Sequence, residues 1–258
     1  VHLDTAEFDQ AAAWCFDDLG MRTAYLPLEF YAFGWGHDIR PFRGLSADSE
    51  AYREAYGQCL AALWKHVQAK GWGERFVLYV SDEPAFDDRD PAVAARILAQ
   101  MKSQCALIHA AAPGLKIYSS TWRYTSEWDD DLDIWGGGAF GCFPVETMDQ
   151  LRADGRTIWL TTDAQLLLDT PYSAIERLNP YYCFAYGAVG YEFWALGWWT
   201  YENYDPFRFG WYAYIPHTFT PDGPTQMIRY PNGSGHLAYP GWLAGEGDVP
   251  LSSIRLEQ

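Results

Sequence analysis

Positive charge is what this sequence has least of. Its 258 residues carry 18 Lys and Arg against 34 Asp and Glu, a formal charge of −16 at pH 7. A phosphate backbone or an anionic membrane surface is bound through clustered Lys and Arg, so nucleic acid and acidic lipid are poor partners for it. No run approaches the roughly 18 apolar residues of a membrane span, and the first residues, VHLDTAEFDQ, show neither the basic start nor the apolar stretch of a signal peptide. The chain is expected to be intracellular or to have lost a leader, with a secreted or periplasmic place favoured. Cysteine is sparse: five residues (Cys15, Cys59, Cys105, Cys142, Cys183), odd in number, widely spaced and without a CxxC pair. They read as buried thiols. Several short motifs are missing as well. No GxGxxG or GxxxxGK[ST] follows a strand, which speaks against a nucleotide site. There is no HExxH, the six His show no ligand spacing, and no GxSxG elbow exists, so neither a metal nor a cofactor is expected.

Aromatic residues are what the chain has in quantity: 13 Trp, 18 Tyr and 14 Phe, within a composition that is 49% hydrophobic. That is enough to bury the core of one large domain, taken as residues 1–258. Most of these rings belong to the core. Several fall in loops, however, and aromatic faces in a groove are how proteins hold the C–H faces of sugars.

Periodicity gives the order of elements. DTAEFDQAAAWCFDDLG begins with Asp4 three residues before Glu7, a capping-box spacing, and ends at Gly20, which predicts a helix. RTAYLPLEFY predicts a strand. A helix follows from Ser46 or Asp48 to Gly71, carrying Tyr52, Tyr56, Leu60, Leu63, Trp64 and Val67 on one face. RFVLYV is apolar on both alternating faces, as strands of parallel sheets are. Asp90 and Pro91 supply the N-cap and first position of the next helix. LKIYSST, LDIWGG, TIWLTTD and AVGYEFWALGWW predict four further strands, VETMDQLRADG a helix, and YSAIERLNPYYCFAYG a helix interrupted at Pro180. Alternating β and α elements argue for a parallel α/β sheet, with the (β/α)8 TIM-type barrel ahead of a doubly wound sheet at this length. Six strands are two short of a closed barrel. The expectation is a partial barrel lacking about two N-terminal strands and the closing helix.

Reacting groups in such barrels sit where strands hand over to βα loops. That collects Glu29, Asp82, Glu83, Trp122, Trp135, Asp163 and Trp194 as candidates around one rim. Asp82 and Glu83 are adjacent, and successive strand residues point to opposite faces, so both reach one cleft only if the strand is bulged or ends there. Pro84 provides an end and is expected to bias Glu83 toward extended geometry. The ordinary meaning of Asp-Glu at a strand end is a solvated turn. The aromatic surroundings and the barrel rim are what favour a catalytic reading.

YVSDEP, RLNPYYCFAYGAVGYEFWALGWW, DPF at Asp205 to Phe207, and GHLAYPG followed by PLSSIRLE together resemble glycoside hydrolase family 123 and a related domain of unknown function, over most of the chain from Arg22 onward. The resemblance implies a retaining exo-hydrolase that removes β-linked N-acetylgalactosamine by substrate-assisted catalysis in a (β/α) barrel, with a glycan or glycoconjugate as its partner. Carried over by motif, Glu83 is implied as the general acid/base and Asp82 as the residue that orients the substrate's 2-acetamido group. Trp122, Trp194, Trp198 and Tyr201 are candidate walls of the sugar site by position. Two alternatives stay open: a conventional retaining glycosidase with Glu83 as acid and Asp163 or Glu192 as nucleophile, and a non-catalytic carbohydrate-binding protein.

Overall fold

The computed structural model describes residues 2–34, 38–87, 90–121, 123–138, 143–163, 174–194, 196–197, 213–217, 226–230 and 237–252. In chain order these form helix α1 (Ala6–Ala13), strand β1 (Ala24–Tyr25), α2 (Glu50–Ala69), β2 (Phe76–Asp82), α3 (Pro91–Ala111), β3 (Lys116–Thr121), β4 (Ile134–Gly138), α4 (Val145–Ala153) and β5 (Thr157–Asp163). There follow α5 (Ala174–Tyr186), β6 (Gly190–Trp194), β7 (Ala213–His217), β8 (Gln226–Tyr230), β9 (Ala238–Pro240), the single turn α6 (Gly241–Ala244) and β10 (Pro250–Ser252). Strands β1 to β6 lie in one sheet in sequence order, and each pair with a described register within it is parallel. Sequential parallel neighbours, with α2, α3, α4 and α5 in four of the connections and a 3-10 turn over Ser126–Trp128 between β3 and β4, make an α/β fold of the (β/α)8 type, with six strands of its sheet among the described residues. Among the described residues no helix is long and apolar enough to cross a membrane.

The chain forms two compact units, residues 1–158 and 159–258. In the first, α2 and α3 pack against each other, and the Tyr52 hydroxyl donates to Gln104 Oε1 at 3.3 Å between them. The apolar stripe of α2 is buried as its spacing predicts, through Tyr52, Tyr56, Leu60, Leu63, Trp64 and Val67, and α3 adds Ile97, Met101, Cys105 and Ile108. A Leu-sized side chain contributes about 1.5–3 kcal/mol when fully buried, so these faces supply much of the unit's stability. Both helices start on capping side chains: Ser49 Oγ accepts from Tyr52 N–H at 3.1 Å, and Asp90 Oδ1 from Ala92 N–H at 2.9 Å, with Pro91 as the first helical residue. Of the described thiols, Cys105 is fully buried, whereas Cys15, Cys59 and Cys183 are only half-buried.

Three elements depart from the sequence reading, each for a local reason. The first helix does not run unbroken to Gly20 but changes at Trp14 to a π-turn over Trp14–Asp18, closed by Leu19 N–H to Trp14 C=O at 3.0 Å. Eight residues at the α-helical pitch would rotate Phe16 away from Phe8. The wider turn restores the alignment, and both rings pack on Trp72 and Phe76. The predicted strand RTAYLPLEFY is cut to Ala24–Tyr25, because Pro27 cannot donate to the ladder and opens a 3-10 turn over Leu28–Phe30. The chain then returns, and Phe33 bridges to Ser81 of β2. The helix expected to break at Pro180 continues through it to Tyr186.

The second unit contains the parallel pair β5 and β6 and two antiparallel pairs, β7 with β8 and β9 with β10. The antiparallel strands are three to five residues long, too short for alternation to announce them. Gly190 faces Trp159 across the β5–β6 register, and a Cβ at Gly190 would stand 2.5 Å from the indole ring. Only glycine lets that ring lie over the neighbouring strand.

Candidate active site

The site begins with a register shift. β2 and β3 pair Tyr79 with Tyr118, then Ser81 with Ser119 and Asp82 with Ser120. Two residues of β2 therefore pass one step of β3, a β-bulge at Val80. In a regular strand Tyr79 and Asp82 would face opposite ways; the extra residue returns Asp82 to the face of Tyr79. The bulge is held from the other side, since the N–H groups of Ala32 and Phe33 both donate to the Val80 carbonyl at 3.0 Å.

On that face Tyr79, Tyr118 and Tyr25 pack together, with ring centroids 5.0–5.7 Å apart, and Tyr31 lies 5.2 Å from Tyr79. Above this floor the Tyr79 hydroxyl donates to Asp82 Oδ1 at 3.0 Å and the Ser120 hydroxyl donates to the same oxygen at 2.7 Å. The two hydroxyl oxygens are 2.8 Å apart.

Glu83 leaves the strand in a different way. Its φ is +44°, a left-handed conformation rare for a residue with a side chain, and its N–H donates to the Ser120 carbonyl at 3.0 Å. The extended geometry expected from Pro84 is thus overturned: the hydrogen bond to Ser120 and burial of Pro84 hold the backbone in the turn. Strain of roughly 1–3 kcal/mol is the usual cost of such a residue. Asp82 and Glu83 are both half-buried. The loops beyond them are tied together by an Arg123 to Asp87 ion pair and by Phe86 packed edge-on against Trp128 at 4.8 Å. Tyr124, in the segment after β3, donates to Asp129 Oδ2 at 2.7 Å, and burial together with that carboxylate pushes its phenol up to about 12.

A family model, glycoside hydrolase 123, catalytic domain, matches residues 26–258. The chain belongs to glycoside hydrolase family 123. No curated protein matches it. Among solved structures, the family 123 chain is similar to a family 123 glycoside hydrolase from Clostridium perfringens, studied for glycolipid glycan hydrolysis, with 17% identity and a TM-score of 0.49. That similarity covers 83% of this chain and 34% of the other, so the chain spans about a third of its length. A β-galactosidase from Bacillus circulans sp. alkalophilus is similar at 11% identity and a TM-score of 0.41, over 76% of this chain and 43% of its own.

The other residues expected at the family 123 site lie as follows. Trp135 is wholly buried, packed between Tyr124 and Phe143 at 5.4 and 6.0 Å. This corrects its placement on the rim, because Gly137, two residues on in β4, leaves Phe143 room to close over the strand. Glu29 is exposed and lines a cleft with Tyr31, Arg40 and Arg43 that includes neither acid. Asp163 and Trp194 are the last residues of β5 and β6 and register opposite each other. Glu192, on β6, accepts from Thr161 Oγ1 at 3.1 Å. Trp122, Trp198 and Tyr201 lie outside the described residues. Among the described residues no group of His, Cys, Asp and Glu has the arrangement of a metal site. Tyr79 and Ser120 were not found from sequence. Period-two alternation puts Tyr118 and Ser120 on one face of β3, but which β2 residue meets them depends on the bulge.

Proposed function

We propose that this chain is the catalytic part of a retaining exo-glycosidase that removes β-linked N-acetylgalactosamine, with the substrate's 2-acetamido group as nucleophile. Family membership supports glycoside hydrolysis, and the observation that carries the finer reading is the adjacency of the two acids at the end of β2. A double-displacement enzyme sets its acid and its nucleophile on opposite sides of the anomeric carbon, about 5–5.5 Å apart. Consecutive residues leaving one strand end suit a different division of labour, in which the substrate supplies the nucleophile, one acid transfers the proton and the other orients the attacking group.

In the first step the acetamido carbonyl oxygen attacks C1 and the bond from C1 to the leaving oxygen breaks. The Glu83 proton passes to that oxygen. The positive charge of the resulting oxazolinium ring is met by the Asp82 carboxylate, which accepts a hydrogen bond from the ring N–H. In the second step Glu83, now a carboxylate, takes a proton from a water that attacks C1. The bond from C1 to the former acetamido oxygen breaks, the acetamido group is restored, and the sugar leaves with its configuration retained. Such enzymes stand outside the scheme of two flanking carboxylates.

The test is hydrolysis of an aryl N-acetyl-β-galactosaminide by the intact protein. Glu83→Gln is expected to abolish turnover, and Asp82→Asn to reduce it severely while circular dichroism stays native. Full activity in either variant would refute the assignment. Trapping of a covalent adduct by a 2-fluoro sugar would replace it with double displacement.

A further inference from the structure

Three oxygens meet within 3.0 Å at the end of β2: Tyr79 Oη, Ser120 Oγ and Asp82 Oδ1. Asp82 is half-buried, and a carboxylate in that position can be solvated by water and turn freely about its last torsion, which is broad and roughly two-fold. Here both donors converge on one oxygen, and both are themselves fixed. Ser120 is 1% exposed and lies within the β2–β3–β4 ladder. The Tyr79 ring is packed among Tyr25, Tyr31 and Tyr118. Among the described residues Oδ2 of Asp82 has no hydrogen-bond partner.

We infer that Tyr79 and Ser120 are positioning residues that occupy Oδ1 of Asp82, fix the carboxylate plane and leave Oδ2 as the oxygen offered to a substrate N–H. This rests on the reading of Asp82 as the acetamido-orienting residue and adds what makes that residue directional. An acceptor aimed in advance costs no reorganisation when the N–H becomes cationic in the oxazolinium ring. Ser120 also has a second role. Its carbonyl receives the N–H of Glu83, so one residue of β3 sets the geometry of both acids. The bulge at Val80 is the backbone condition for this arrangement, because without it Asp82 would turn away from Tyr79.

The experiment uses the intact protein with Tyr79→Phe, Ser120→Ala, Asp82→Asn, and each hydroxyl variant combined with Asp82→Asn. Two quantities are read: kcat and KM on the aryl substrate, and calorimetric affinity for a 1,2-fused thiazoline analogue of N-acetylgalactosamine, which needs no turnover. Removing a donor to a charged acceptor is expected to weaken thiazoline binding and lower kcat on the order of tenfold. KM should stay within about twofold, and neither hydroxyl variant should weaken thiazoline binding further once Asp82 is Asn. Thermal melts check that the variants fold, and Ser120→Ala carries the test if Tyr79→Phe does not. Wild-type kcat and thiazoline affinity in the hydroxyl variants, with Asp82→Asn impaired, would overturn the clamp and leave the function standing. Equal losses with and without Asp82 would also overturn it, by making the effect one of fold. Full activity in Asp82→Asn would instead remove the reading beneath it.

Discussion

Replacing Glu83 by alanine and, separately, by glycine isolates the backbone strain at the candidate acid from everything its carboxylate does. Both variants lose the side chain and its contacts, so they differ only in how easily the residue adopts φ +44°. For a residue with a Cβ the left-handed region costs roughly 1–2 kcal/mol, which alanine pays and glycine does not. Glycine's greater freedom in the unfolded chain opposes this by about 0.5–1 kcal/mol. The difference leaves glycine ahead by about 0.5–1 kcal/mol. At an ordinary strand end the order is reversed, with alanine the more stable by a similar amount, so the sign alone is diagnostic. Urea unfolding followed by circular dichroism should show a higher midpoint for Glu83→Gly at unchanged slope, and melting should rise by about 1–4 °C relative to Glu83→Ala. Neither variant should hydrolyse substrate. Equal or greater stability of Glu83→Ala would refute the claim that Glu83 is strained.

Further expectations concern the framework. Burial pushes the Tyr52 phenol up to about 12, a hydrogen bond with Gln104 only partly opposing it, and burial raises Tyr56 and the Cys105 thiol as well. The fold therefore keeps protons that the unfolded chain gives up: stability is full below about pH 10 for the tyrosines and falls as pH rises toward 12. For Tyr52 the loss is about 2–3 kcal/mol by pH 12, and Tyr52→Phe should flatten the alkaline branch of a stability profile measured by urea titration. Gly190→Ala should destabilise by about 1–3 kcal/mol, because the new methyl meets the Trp159 ring, and Trp159→Leu in the same chain should relieve part of that loss in thermal melts. Asp90→Ala removes the cap of α3 and should lower stability by about 1 kcal/mol by urea unfolding, whereas Asp90→Asn should cost little.

The parts of the fold legible in the sequence are those that depend on period and on local chemistry. The buried stripe from Tyr52 to Val67, the Asp90 and Pro91 start of α3 and the apolar run into Asp82 each follow from neighbours a few residues away. What was not legible depends on partners far along the chain. Pro27 ends β1 after two residues, yet nothing local says that Phe33 returns to bridge Ser81, because that pairing is decided by a strand almost fifty residues later. Trp135 looked like a rim residue because it lies near a strand end, but its burial is set by Phe143 closing over Gly137. A bulge leaves no mark in RFVLYVSDEP: inserting one unpaired residue changes which side chains share a face without changing composition or length.

Two irregularities in that stretch act together. A regular strand would send Asp82 away from Tyr79 and put Glu83 on the face opposite Asp82. The bulge at Val80 corrects the first, and the left-handed turn at Glu83 frees the second from strand alternation. Each has a cost, in lost pairing or in strain, and each is held by hydrogen bonds from outside β2: the amides of Ala32 and Phe33 on Val80, and the Ser120 carbonyl on Glu83. A solvated turn would need neither device, since water satisfies both carboxylates in any orientation. Backbone distortions at successive points, braced from the segments on either side, are what a strand end requires when the orientation of its acids matters.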